Sequence, residues 1–303
     1  MREVVPAALG GQRLDRVVAM VTGRSRTEAA ALVERGAVAV GGRPVTTRSH
    51  RVADGDVLEV DTPDPHAEAG LEGDPAVPVQ IVYEDAHLLV VDKPAGLVVH
   101  PGAGQVTGTL VHGVLARHPE VRDVGQPDRP GIVHRLDKGT SGLMLVALSP
   151  EAYEGLVAML SARRVERRYR ALVVGALDAP TGVVDAPIGR SGRDRTRMAV
   201  TLAGKPARTR YEVVDRFTEP IPVTELRATL ETGRTHQIRV HLASIGHPVL
   251  GDARYGGVRP APPAHRPWLH AEHLALDHPV TGEPLAFSSP LPDDLVGVRA
   301  QLA

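Results

Sequence analysis

The sequence predicts an α+β fold: a mostly antiparallel or mixed β-sheet with flanking helices, plus a small N-terminal α/β unit. Three observations predict it. Segments with strand-like apolar patterns outnumber those with a helical stripe. Their order is not the strand–helix–strand alternation that builds a parallel sheet. Residues 61–78 are rich in Pro, Gly and acids, lack periodicity, and divide residues 1–60 from residues 79–303 as a linker.

A chain of 303 residues is long enough for about two domains. Hydrophobic residues at 42% and charged residues at 23% suit a globular protein with a sizeable core. Aromatics are only 3%, so Val, Leu, Ala and Ile must build that core. Any stacking against a flat ligand falls to Arg, His or the few Tyr. A net charge of -1 does not mark a nucleic-acid binder, so local clustering of Arg has to decide that question. There is no Cys, which excludes disulfides, thiolate catalysis and Cys-based zinc sites and fits a reducing cytoplasm. Met1-Arg2-Glu3-Val4-Val5-Pro6 lacks the apolar core of a signal, and no apolar stretch is long enough to span a bilayer. The expectation is a cytoplasmic monomer without membrane attachment.

In the first unit Leu14, Val17, Val18 and Val21 form a helical stripe. Ser25 or Thr27 caps a second helix over 28–35, which Gly36 closes. Short strands follow over 37–40 and 43–45, joined by a turn at Gly41-Gly42. Asp54-Gly55-Asp56 turns into another over 57–60. Arg13, Arg16, Arg24, Arg26 and Arg35 cluster along the two helices.

In the second unit, 81–85 and 87–92 read as strands, ended by Lys93-Pro94-Ala95-Gly96. Residues 109–117 carry a helical stripe at Leu110, Val111, Val114 and Leu115. Ser149 caps a further helix, with Pro150 and Glu151 in its first turn and Leu156, Val157 and Leu160 on one face. Residues 168–174 alternate into a strand. Residues 187–198 make a basic hairpin or loop with Arg190, Arg193, Arg195 and Arg197. Residues 207–217 and 223–230 are strands, and Thr232-Gly233-Arg234 turns the second into a helix. Ile238, Leu242 and Ile245 are spaced i, i+4, i+7 on it. After a long loop over 251–267, residues 269–276 and 285–287 are the last strands.

The chain centres on residues 131–147. One apolar run enters this stretch and another leaves it, so it reads as strand, loop, strand. The loop holds Asp137, three potential cations (His134, Arg135, Lys138) and the hydroxyls of Thr140 and Ser141. Charge held between core strands is costly unless paired, so Asp137 needs a partner. Two other stretches concentrate reactive groups. One is Val165-Glu166-Arg167-Arg168-Tyr169-Arg170-Ala171-Leu172-Val173, and the other Gly233-Arg234-Thr235-His236-Gln237-Ile238-Arg239-Val240-His241-Leu242.

Competing motifs fail on spacing. Leu136 precedes Asp137 where a kinase loop needs the acid directly after Arg, and no Gly-rich nucleotide loop is present. Lys138-Gly139-Thr140 has the wrong order for a phosphate loop. His236 and His241 are five apart, not the four that puts two zinc ligands on one helix face. Taken singly, Asp137 reads equally as a turn acid paired with Arg135 or Lys138. Tyr169 alone reads as a half-buried strand tyrosine, and Arg234 alone as a helix-start arginine.

Together the three stretches, with Lys93-Pro94-Ala95-Gly96-Leu97-Val98-Val99-His100-Pro101, resemble the pseudouridine synthase family. The similarity is to the branch that modifies large-subunit ribosomal RNA, and it covers nearly the whole chain. Arg13-Leu14-Asp15, Ser25-Arg26, Glu34-Arg35-Gly36-Ala37-Val38 and Asp54-Gly55-Asp56 resemble an S4 RNA-binding domain. Departures from the family pattern are Gly139 for a frequent acid, Arg167 for a frequent Lys and Asp92 for a frequent Asn.

The resemblance implies an isomerase that turns specific uridines of RNA into pseudouridine, in 23S ribosomal RNA or a ribosome assembly intermediate. Asp137 is then the covalent catalyst after base flipping, attacking C1′ or C6 or assisting departure of uracil to a glycal. Arg234 is the expected ion-pair partner that meets its charge and orients its oxygens. Tyr169 packs on the base and serves as general acid or base at C5 or C2′. Ile238 is an apolar wall, and Arg135 fills the gap left by the flipped uridine. Thr140, Ser141 and the arginines of residues 190–197 hold phosphates. Arg13, Arg16, Ser25, Arg26 and Arg35 present the basic RNA face of the S4-like unit. No cofactor and no metal are expected. Two rival readings have weaker support: an RNA chaperone without chemistry, which does not need Asp137, Tyr169 and Arg234, and a nucleoside hydrolase, which needs a second carboxylate to activate water.

Overall fold

Leu14, Val17 and Val18 are fully buried on one face of α1 (Leu14–Thr22). They pack with Leu32 and Val33 of α2 (Arg26–Glu34) and with Val38 and Leu58 from a small sheet. That sheet is antiparallel, with β1 (Arg2–Val4), β2 (Val38–Val40), β3 (Arg43–Pro44) and β4 (Val57–Val60) in the order β1-β4-β2-β3. A computed structural model describes residues 1–23, 26–61, 71–102 and 104–303 of the chain. It divides into two units, Met1–Gly70 and Leu71–Ala303.

The second unit is built on a nine-stranded mixed sheet. Its strands are β5 (Ile81–Glu84), β6 (Leu88–Lys93), β9 (Ser141–Ala147), β10 (Glu166–Val174), β11 (Thr181–Asp185), β14 (Arg208–Phe217), β15 (Val223–Leu230), β16 (Leu269–Asp277) and β17 (Pro284–Ser288). The order is β11-β14-β15-β10-β16-β9-β6-β5, with β17 beside β16. Two short hairpins, β7 (Gly125–Gln126) with β8 (Arg129–Pro130) and β12 (Ile188–Arg190) with β13 (Met198–Val200), lie outside it. The helices are α3 (Leu110–Arg117), α4 (Pro150–Ser161), α5 (Gln237–Ser244) and α6 (Asp293–Arg299).

Burial explains the sequence pattern. Both faces of β9 are covered, so it reads as an unbroken apolar run, and β6 is nearly so. Strand β10 alternates, turning Arg167, Tyr169 and Ala171 inward. Ser149 caps α4 as expected, accepting the Ala152 N–H at 3.2 Å.

Strand β16 is the pivot. It pairs antiparallel with β10 on one side and parallel with β9 on the other. The parallel pairing is short, His270 with Ser141 and Ala271 with Gly142. Gly142 sits at φ 111, and a Cβ there would lie 2.3 Å from the Ala271 carbonyl oxygen. This contact seats the start of β9, and with it the end of the preceding loop, against β16.

Several expectations need correction. The run entering the central loop is not a strand, since only Ile132 bridges Val146. Gly131, at φ 71, lies so close over β9 that a Cβ would be 2.6 Å from the Ala147 carbonyl oxygen, and the chain turns back there. Residues 71–78, expected as linker, belong to the larger unit: Gly73 packs on the backbone of Ala116, and Val77 is buried. Ile245 caps the end of α5 and is exposed, while all of residues 237–242 are buried. Helix α6 has no counterpart among the expected elements. It is fixed by Arg299, which donates to the buried Glu225 at 2.7 Å, and by the Trp268 indole, which donates to the Leu295 carbonyl at 2.9 Å.

Gly142→Ala is expected to destabilise the protein by about 2 kcal/mol or more, because a methyl meets backbone at a left-handed position. Urea unfolding followed by circular dichroism measures this, and an unchanged midpoint would show that the β9–β16 contact yields easily.

Candidate active site

Asp137 lies in the loop between Ile132 and β9. A turn closes on it through the Thr140 N–H, which donates to its carbonyl at 3.0 Å. The Lys138 carbonyl accepts the Gly96 N–H at 2.7 Å, tying the loop to the end of β6. Lys93, in β6, is fully buried and donates to the carbonyls of Pro94 and Leu97 at 2.8 and 2.9 Å. Burial pushes its ammonium down to about 7 against the pull of Asp137.

The partner of Asp137 is Arg239, not Arg234. Arg239 Nη1 donates to Asp137 Oδ2 at 2.8 Å. Its Nε and Nη2 donate to the two oxygens of Asp252 at 2.6 and 2.9 Å. Asp252 is fully buried and also accepts the N–H groups of Arg254 and Tyr255. Burial opposes the charge of Arg239, but its bonds to Asp252 and Asp137 outweigh this, and it titrates above the usual arginine range. The Tyr255 ring lies 5.1 Å from the same guanidinium, within cation–π reach.

Arg234 fails for a geometric reason. It sits in the turn before α5, where its N–H donates to Gln237 Oε1 at 3.0 Å and its Nε to the Pro206 carbonyl at 3.0 Å. The chain then passes through His236 at φ 57 into α5, and Arg239, buried in that helix one residue past Ile238, reaches Asp137. A signal for Arg239 did exist in the sequence. An arginine inside a buried helix must meet acids, and Asp137 and Asp252 are those acids. His236, whose spacing to His241 reads as a surface or structural histidine rather than a metal ligand, has its Nε2 3.9 Å from Asp137 Oδ1 and its Nδ1 2.8 Å from the Tyr255 hydroxyl.

Asp137 and Tyr169 line a cavity of about 650 Å³ together with His134, Arg135, Arg167 and Arg234. A second pocket of about 50 Å³ shares Asp137 and Tyr169 and adds Ile238 and Thr140. Ile238 is buried, as an apolar wall requires. Burial pushes the Tyr169 phenol up to about 12, with Arg167 lowering and Asp137 raising it. It holds its proton at neutral pH.

Arg135 stands exposed at the cavity rim and donates to His100 Nε2 at 3.1 Å. Ser141 cannot hold a phosphate: it is buried, and its Oγ is bonded to His270 Nδ1 at 3.0 Å. Thr140 is buried as well, and its Oγ1 has no hydrogen-bond partner among the described residues. Both hydroxyls sit where β9 leaves the loop and enters the core. Of the basic hairpin, Arg190, Arg193 and Arg195 are exposed, while Arg197 lies 5.2 Å over the Tyr255 ring.

In the smaller unit Arg13 is committed to an internal pair. It donates to both oxygens of the buried Asp15 at 3.1 and 3.0 Å, because that acid needs a partner. Arg16, Arg26 and Arg35 are exposed. Ser25 lies outside the described residues. Among the described residues no three His, Cys, Asp or Glu are placed to hold a metal ion, and no helix is long and apolar enough to cross a membrane.

The family described as RNA pseudouridylate synthase matches residues 87–244, and the S4 domain matches residues 12–58. A Pseudomonas aeruginosa protein named ribosomal large subunit pseudouridine synthase D is 45% identical over 98% of this chain and 94% of its own length. A Nitrosomonas europaea protein of the same name is 45% identical over 97% of this chain and 85% of its own length. The solved structure of human RNA pseudouridylate synthase domain containing 1 is similar with a TM-score of 0.60 at 29% identity, covering 77% of this chain and 91% of that one.

Arg239→Met is expected to cost about 3–5 kcal/mol in urea unfolding, since it strands two carboxylates. A loss under about 1 kcal/mol would show that solvent already screens the pair. A pH dependence follows from His134, whose Nε2 accepts the Leu145 N–H at 3.0 Å. Burial, aided by Arg167, pushes its imidazole from 6.5 down to about 3. The unfolded chain therefore binds a proton that the native fold refuses. Its contribution is complete above pH 6.5 and is lost as pH falls towards 3, by at most about 1.4 kcal/mol per pH unit. His134→Gln, which keeps an acceptor for that amide, is expected to flatten the fall in urea midpoint between pH 6.5 and 4. An equal fall in both proteins would assign it to other groups.

Proposed function

The chain belongs to the RNA pseudouridylate synthase family and is an RNA uridine isomerase; from that premise we propose that its substrate is large-subunit ribosomal RNA and that Asp137 carries the reaction. The observation that carries this reading is the Asp137 carboxylate itself. Arg239 holds it at 2.8 Å, on the wall of a cavity of about 650 Å³ that it shares with Tyr169. The names of the bacterial relatives support the choice of RNA.

The reaction breaks the N1–C1′ bond and forms a C5–C1′ bond. C5 gives up a proton and N1 gains one, so nothing is added or removed overall. A duplex or folded loop hides these atoms, so the uridine must first leave its stack. Arg135, exposed at the rim and hydrogen-bonded to His100, takes the vacated place and stacks there. Tyr169 offers its ring to the base and a protonated hydroxyl as donor. Ile238 closes the apolar side. Asp137 then engages the nucleotide as the glycosidic bond breaks. Arg239 fixes where its oxygens point, so little reorganisation is left for the reacting complex.

The S4-like unit adds affinity rather than chemistry. Arg16, Arg26 and Arg35 are exposed on it and are the groups we assign to backbone phosphates.

The test is a pseudouridine map of large-subunit ribosomal RNA by carbodiimide primer extension. Cells lacking the gene are expected to lose signal at one or a few uridines. Cells whose only copy carries Asp137→Asn are expected to lose the same signals, with circular dichroism showing that the variant folds. An unchanged map without the gene would remove large-subunit RNA as substrate, and a full map with the Asn variant would remove Asp137 as catalyst.

A further inference from the structure

The cavity contains a charge that the reading above does not use. Arg167 is only 6% exposed, in β10 two residues before Tyr169 on the same face. Its Nε is buried without a hydrogen-bond partner, and its guanidinium has no ion pair among the described residues. The two acids on the cavity wall are already engaged, Asp137 by Arg239 and Glu231 by Arg163 and Arg210. The guanidinium lies against Gly233 in the turn before α5, where a Cβ would come within 3.0 Å of its Nη1. The turn therefore leaves room for the arginine head at the cavity wall, and a larger residue would displace it.

A buried, unpaired guanidinium is a large cost to a fold, and a neutral acceptor offsets only part of it. An anion offsets far more. The planar fork of arginine matches two oxygens of one phosphate, with two parallel charge-assisted hydrogen bonds. RNA brings one such diester on each side of every nucleotide. We propose that Arg167 binds a backbone phosphate next to the flipped uridine, and that this contact, made inside the cavity, seats the nucleotide against Asp137 and Tyr169. The proposal rests on the reading of this cavity as the uridine site.

The experiment uses the full-length protein and total RNA from cells lacking the gene, read at the uridines that the wild-type protein converts. Arg167→Met is expected to raise KM about tenfold or more with a much smaller effect on kcat, as loss of a charged hydrogen bond requires. The slope of log KM against log salt is expected to become shallower by about 0.7, the share of one phosphate contact on a single strand. Arg167→Lys is expected to restore the salt slope and part of KM. Because no internal acceptor is lost, Arg167→Met is expected to melt no lower than the wild type.

A wild-type KM and slope in Arg167→Met would overturn the proposal. So would a fall in kcat at unchanged KM, which would move Arg167 to the reacting base. A lower melting temperature with unchanged KM would make it a structural arginine. Asp137→Asn in the same assay separates the two layers. If that variant still turns over, the cavity is not the uridine site, whereas its inactivity alongside a normal Arg167→Met removes only the phosphate contact.

Discussion

One guanidinium, that of Arg239, joins two carboxylates that have no other reason to be near each other. Asp252 grips it from inside the core with two hydrogen bonds, and its remaining Nη1 reaches Asp137 at 2.8 Å. The order of the chain of contacts matters. Asp252 is fixed by backbone N–H groups, Arg239 is fixed by Asp252, and Asp137 is then aimed by Arg239. The acid in the cavity is thus positioned from the core outward. Its burial is tolerable because its charge is met before substrate arrives. The Tyr255 ring, with Arg239 and Arg197 both within about 5 Å of its centre, couples this cluster to the basic hairpin of β12 and β13.

Sheet topology makes the cluster possible. Asp137 precedes β9 and Tyr169 lies in β10, strands that are not neighbours. Strand β16 runs between them and holds both, parallel to one and antiparallel to the other. The close approach of Gly142 to Ala271 makes the parallel contact short and tight. Helix α5, buried over residues 237–242, then lays Ile238 and Arg239 across the same end of the sheet.

The walls of the cavity divide their electrostatic work. Burial holds Tyr169 protonated and drives His134 towards neutrality, as it does the buried Lys93 of β6 outside the cavity lining. Arg239 keeps its charge because two acids meet it. Arg167 is different, being buried with no ion pair among the described residues. In a protein whose net charge is only -1, affinity for a polyanion must come from such local placement of arginine rather than from the total.

Much of this was legible in the sequence. Period and composition identify most strands and helices, because a residue's tendency to be buried repeats with the geometry of its own element. The loop around Asp137 stands out because charge between apolar runs is costly. What pattern could not supply was which arginine meets which acid. Arg234 and Arg239 are five residues apart, and both sit near the start of α5. The choice between them depends on the left-handed turn at His236 and on Asp252, which approaches from a loop thirteen residues further on. Ser141 shows the same limit, since its hydroxyl is taken by His270, a partner distant in sequence. The sequence by itself determined most of the elements and which residue types gather near Asp137. The tertiary structure decided how their charges pair, because pairing depends on distances across strands and loops that no local periodicity encodes.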